Sequence, residues 1–145
     1  MKPINTVQDI EIIKKMIVEG GNNDEINARI WCVRDGVEYI GTANDYHMVR
    51  GTLNGKEHAF RCGSGDIDFP YIKEYTCSIK EQKDLEVAGW VFTATYNVHT
   101  GLRGTITKEG KYDIVQFTSK IQDGRRARLY CWLCVMQWEL ENETN

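Results

Sequence analysis

From Trp90 to Val98 the chain alternates strictly. Trp90, Phe92, Ala94, Tyr96 and Val98 are apolar or aromatic at every second position, and Val91, Thr93, Thr95 and Asn97 fall between them. A period of two places one aromatic-rich face toward a core and the other toward a more polar surrounding. This predicts a β-strand, which needs partners. His99-Thr100-Gly101 breaks the alternation, and Leu102 to Thr107 and Tyr112 to Ser119 then read as a hairpin pair around Lys108-Glu109-Gly110-Lys111. The apolar face of such a sheet has to be covered, most simply by helices.

Helical periodicity supplies the cover. Ile10, Ile13 and Ile17 recur at spacings of three and four within Val7 to Glu19. Thr6 is a good N-cap, Asp9 suits the first turn, and Gly20-Gly21 ends the helix. A second helix is predicted from Asp24 to Val33, capped by Asn23, with Ile26, Ile30 and Val33 on one face. The competing reading is a strand from Arg29 to Arg34 turning at Asp35-Gly36; the cap and the acidic start favour the helix. Ser78 caps a short helix ending near Val87, with Ile79 and Leu85 as its apolar contacts. Asp123 caps a long one, in which Leu129, Trp132, Leu133, Met136 and Leu140 form one stripe. Between these, Val37 to Ile40 and Tyr46 to Val49 suit short strands. Asn54-Gly55 is a two-residue hairpin turn, and Glu57 to Cys62 is its return strand. The expectation is one α+β domain spanning 1–145, an antiparallel sheet with helices on both faces.

Composition narrows the function. At 145 residues the chain is 41% hydrophobic with only two prolines, which disfavours disorder. No apolar run approaches the roughly 20 residues of a membrane span, and the start Met1-Lys2-Pro3-Ile4-Asn5 lacks a signal-peptide core. A net charge of -3 weighs against a general nucleic-acid coat. A cytoplasmic protein is expected. Five cysteines without a secretion signal read as reduced thiols. Cys131-Trp132-Leu133-Cys134 has the spacing of half a zinc site, but no second close pair exists. The motif lies inside an apolar helical pattern, so packed core thiols are expected, with no metal and no cofactor.

Three blocks carry a resemblance. Tyr75-Thr76-Cys77-Ser78-Ile79 followed by Gly89-Trp90, the acidic stretch Asn23 to Ile30, and Ala127 to Val135 together resemble the phage ABA-sandwich domain family of small bacteriophage proteins. The chain departs from that pattern at Lys80, Glu81, Gln82 and Val87, and at Arg125-Arg126. The resemblance implies a phage-encoded three-layer α/β/α sandwich. It implies no activity and brings no catalytic residues.

Two basic clusters are the candidate sites. Gly124-Arg125-Arg126-Ala127-Arg128 opens a helix, where partial positive charge already accumulates. Arginine there suits a phosphate or an acidic partner; the plainer reading is a solvated helix end. The second cluster is His47, Arg50, Lys56, His58 and Arg61, interleaved with Tyr39, Tyr46 and Phe60. Aromatic faces stack bases and cations pair with phosphates; the plainer reading is an exposed hairpin with core aromatics. The glycine-bearing loop His99 to Gly104 adds Arg103. For catalysis there are only His47, His58 and His99, in no diagnostic spacing, and Asp66 with Asp68 is a weak metal pair.

The expectation from these residues is a small anionic, nucleotide-like ligand. It would be held without cleavage by an anti-defence protein that sequesters a host signal, with the site shared in a homo-oligomer. Two alternatives stand beside it: a protein-binding inhibitor of a host enzyme, using acidity at Glu139, Glu141 and Glu143, and a histidine-dependent phosphodiesterase.

Overall fold

The computed structural model describes residues 6–43, 46–50, 56–60, 73–78, 80–85, 90–97, 101–108, 113–117 and 124–142. The fold is α+β, with three α-helices and two three-stranded antiparallel sheets among the described residues. Where one sheet was expected, the described strands thus fall into two.

Helix α1 is Val7–Glu19, as its periodicity predicts. Thr6 and Asp9 form a reciprocal capping box, the Asp9 N–H donating to Thr6 Oγ1 and the Thr6 N–H to Asp9 Oδ2. Gly20 closes the helix at φ 76°, a conformation open to glycine. Helix α2 runs Asn23–Asp35, longer than expected at both ends, and the strand alternative for Arg29 to Arg34 is not adopted. Its N-cap is Asn22 rather than Asn23, because Asn22 Oδ1 accepts from the Glu25 N–H at 3.0 Å. Gly36 ends it at φ 70°.

The first sheet has the order β1 (Glu38–Ala43), β2 (Tyr46–Arg50), β3 (Glu57–Phe60). A bulge between Tyr39 and Gly41 leaves Ile40 as the extra residue in β1. Arg50 pairs with Glu57; a two-residue Asn54-Gly55 turn continued without a bulge would set Arg50 opposite Ala59. The turn itself lies outside the described residues. The short helix expected after Ser78 is a 3₁₀ segment, Glu81–Leu85, and Val87 lies outside the described residues. The Glu81 N–H donates to Ser78 Oγ at 3.3 Å, so the expected cap holds, while Ile79 lies outside the described residues. The second sheet has the order β4 (Trp90–Asn97), β5 (Gly101–Lys108), β6 (Asp113–Phe117). The side chains of the expected aromatic face in β4 lie outside the described set.

Helix α3 is Gly124–Asn142; its expected cap Asp123 lies outside the described residues. Leu129, Trp132 and Leu133 are buried as the stripe requires, but Ala127, Cys131 and Val135 are buried too. The apolar surface is wider than one stripe because α3 is packed on two sides, by α1 and by the second sheet. Helix α2 packs on β1 and β2 and also touches α1. Among the described residues a core results, from Ile10, Ile13 and Ile17 through Ile26, Ile30 and Trp31 to Leu129 and Leu133.

Polar contacts fix the irregular segment 73–78 to this frame. Buried Asn27 accepts the Thr76 N–H through Oδ1 at 2.9 Å. Asn27→Ala leaves that buried N–H without its acceptor and is expected to destabilise the fold by about 1–3 kcal/mol, measured by urea denaturation.

Candidate functional site

Strand alternation gives the first sheet two unlike faces. His47, Val49, His58 and Phe60 are buried toward α2, His47 opposite Phe60 and Val49 opposite His58. Tyr46 and Arg50 are exposed on the other face, with Met48 between them. Small residues flank that row, Ala43 opposite Tyr46, and Gly41 and Ala59 opposite Met48. Tyr46 is 38% exposed, against 6% for His47 and 8% for His58. The basic-aromatic cluster read from the sequence is thus divided: Tyr46, Arg50 and exposed Lys56 are separated from His47, His58 and Phe60. Arg61 lies outside the described residues. On the outer face Arg50 donates to Glu57 Oε1 at 2.9 Å and lies 3.7 Å from Glu38 Oε2, its cross-strand neighbours.

The inner face holds a polar chain running out to α2. The Tyr39 hydroxyl and His47 Nδ1 share a hydrogen bond of 3.0 Å, with the donor set by the tautomer. The Arg29 guanidinium lies 4.4 Å over the Tyr39 ring and donates to Glu25 Oε2 at 2.9 Å. Beyond His47, Phe60 meets Trp31 edge-on at 5.5 Å between ring centres. Burial pulls the His47 pKa below the usual histidine value; Asp24 and Glu25 oppose this and Arg29 reinforces it. The unfolded chain therefore binds more protons than the folded one as His47 titrates. Its contribution to stability is fully present above about pH 6.5 and is lost as pH falls through the lower folded value. His47→Gln is expected to flatten that part of the stability–pH curve, as followed by thermal melts across pH 5–8.

The arginines that open α3 divide between two places, Arg126 reaching the end of α1 and Arg125 and Arg128 reaching Cys77 and Gln82. Arg126 Nη1 donates to the Ile17 carbonyl at 3.3 Å and Nη2 to the Gly21 carbonyl at 2.8 Å; Nη2 also donates to Asn23 Oδ1. The Met16 carbonyl takes the Gly20 and Gly21 N–H groups, so Ile17 belongs to the orphaned carbonyls of α1. Helix α1 has no basic residue in its last turn, and Arg126 supplies that charge from another helix. Arg125 is exposed and donates from Nη1 to the Cys77 carbonyl at 3.0 Å. Arg128 Nε donates to Gln82 Oε1 at 3.2 Å, while Gln82 Nε2 donates to the carbonyls of Tyr75 at 2.7 Å and Arg125 at 2.9 Å. Gln82 is the buried node of this region, and nothing local in the sequence singles it out. Arg29 had a readable signal, its i,i+4 spacing from Glu25.

The other candidates add little to either face. Arg103 lies in β5 opposite Thr95, and its side chain is outside the described set. His99, Asp66, Asp68 and Cys62 lie outside the described residues. Cys131 is buried and Cys134 partly so, as the reading of packed thiols expects, whereas Cys77 is exposed. Burial raises the Cys131 thiol pKa far above its usual value, with Cys134 reinforcing this, and burial raises the Cys134 thiol too. Among the described residues no group of three or more His, Cys, Asp or Glu is placed to hold a metal ion, and no helix is long and apolar enough to cross a membrane. No known family model matches the chain, and no curated protein or solved structure matches it.

Proposed function

We propose that this chain is a phage accessory protein that binds a nucleotide-derived host signal on the outer face of its first sheet and holds it uncleaved. One observation carries the binding reading: Tyr46 and Arg50 share an exposed face flanked by small residues. A base stacked on an aromatic ring contributes about 1–3 kcal/mol by alanine substitution. Arg50 lies four residues along β2, about 13 Å at the rise of a strand, within reach of a phosphate. Its pairs with Glu38 and Glu57 are exposed and screened by solvent, so a phosphate competes with them. Holding is favoured over cleavage because His47 and His58 are buried on the opposite face.

Phage origin rests on the resemblance carried by residues 75–79, 89–90, 23–30 and 127–135; the anti-defence role and a cytoplasmic setting in the host follow from that origin together with basic and aromatic residues suited to phosphates and bases. The three-layer α/β/α arrangement belongs to the same proposal, supported also by a helix lying against each sheet. Calorimetry with a panel of cyclic and linear nucleotides tests the binding reading. One class is expected to bind, to weaken about tenfold in Tyr46→Ala, and to leave the denatured protein with unchanged mass. Binding by none of them, or equal affinity in Tyr46→Ala, contradicts it. Turnover that disappears in His47→Gln would replace it with the phosphodiesterase reading.

A second reading has one observation of its own. Helix α3 ends with Glu139 and Glu141 and no basic residue in its last turn, so acidic charge adds to the negative helix end. That end suits a basic surface on a host enzyme. A stoichiometric host protein retained by the wild-type chain and lost on Glu139→Lys/Glu141→Lys would favour it.

A further inference from the structure

Lys14 sits where α1 crosses α3, and its ammonium is bracketed along one face of α3. Nζ donates to Gln137 Oε1 at 3.0 Å and lies 5.1 Å from the centre of the Tyr130 ring. Cys134 falls between those two contacts, four residues after Tyr130 and three before Gln137, and i, i+4, i+7 is a single helical face. Cys134 is partly buried and reduced, and Lys14 is half-buried. Lys14 draws the Cys134 thiol toward thiolate, against the burial that raises it overall. A thiolate next to a cation is the form that peroxides attack.

We infer that Lys14 and Cys134 form an oxidation-driven covalent clip, an Nζ–O–Sγ bridge joining α1 to α3. The oxidant is a peroxide of the hydrogen peroxide class. One equivalent oxidises the Cys134 thiol to the sulfenic acid and is reduced to water. Lys14 loses its extra proton to solvent. A second equivalent then removes one hydrogen from the lysine nitrogen and one from the sulfenic oxygen as the N–O bond forms, and leaves as two waters. The bridge carries one oxygen more and two hydrogens fewer than the neutral amine and thiol. A thiol reductant reverses it, returning amine and thiol. The clip is independent of the nucleotide reading, since neither residue lies on the outer face of the first sheet.

The test is hydrogen peroxide titration of the purified full chain, followed by intact mass and peptide mapping. The expected product gains one oxygen and loses two hydrogens, joins the Lys14 and Cys134 peptides, and disappears with dithiothreitol. Its melting temperature rises, because residues 14 and 134 remain tied in the unfolded chain. Lys14→Arg keeps the charge and is expected to give no bridge, as is Cys134→Ser. The wild-type map stands by itself should either variant fold poorly. Oxygen gained without hydrogen loss, a Cys131–Cys134 disulfide with no oxygen gained, or a Cys134 peptide unchanged at excess peroxide would each overturn the proposal.

Discussion

Trp31→Ala is expected to lower the free energy of unfolding by about 3–5 kcal/mol, the cost of deleting a large buried aromatic. Trp31 is only 2% exposed and meets Phe60 edge-on at 5.5 Å, so it ties α2 to the first sheet. The same helix touches α1, so the cavity opens where two packing contacts share one element. Against a total stability of about 5–15 kcal/mol, this change removes a large fraction. Urea denaturation followed by far-ultraviolet circular dichroism measures it. Trp31→Phe keeps an aromatic in contact with Phe60 and should cost clearly less. Equal stability of Trp31→Ala and the wild type would mean that α2 does not seat on the sheet through this residue.

Arg126→Ala should destabilise by about 2 kcal/mol, since hydrogen bonds to charged groups are worth about 1.5–3 kcal/mol and this side chain is partly exposed. The carbonyls of Ile17 and Gly21 and the Asn23 amide lose a common donor. Arg126→Lys should recover little, because one ammonium cannot reproduce the planar fork that spans the end of α1 and the start of α2. The contrast with Arg125 is informative. Arg125 is exposed and donates to the Cys77 carbonyl, and solvent can replace a bond made at the surface, so Arg125→Ala should change stability less. If Arg126→Ala left stability untouched while abolishing nucleotide binding, the α3 start would be a ligand site and not an internal clamp.

Local signals made part of this structure legible. Thr6, Asp9 and the isoleucine spacing placed α1 at its observed bounds, because capping and periodicity act within one turn. For α2 the type was readable and the ends were not; Asn22 and Asn23 are both good caps, and geometry selects Asn22. The α3 stripe was too narrow because a sequence does not say how many neighbours a helix will have. At the candidate site, alternation in Tyr46 to Arg50 already separates Tyr46 from His47, yet composition alone groups them. The Gln82 node and the Arg126 clamp were not legible. Their partners lie far away in sequence, Arg126 with Gly21 and Gln82 with Arg125, and such contacts leave no periodic trace.

On the proposed reading the exposed Tyr46–Arg50 face binds an anionic, base-containing ligand and the buried histidines do not act on it. Native mass spectrometry of the chain made in bacterial cells, compared with Tyr46→Ala and His47→Gln, tests both halves together. This binding mode requires a small molecule retained by the wild type and by folded His47→Gln, absent from Tyr46→Ala, and released intact. A molecule retained equally by Tyr46→Ala, or one that accumulates uncleaved only in His47→Gln, would contradict it.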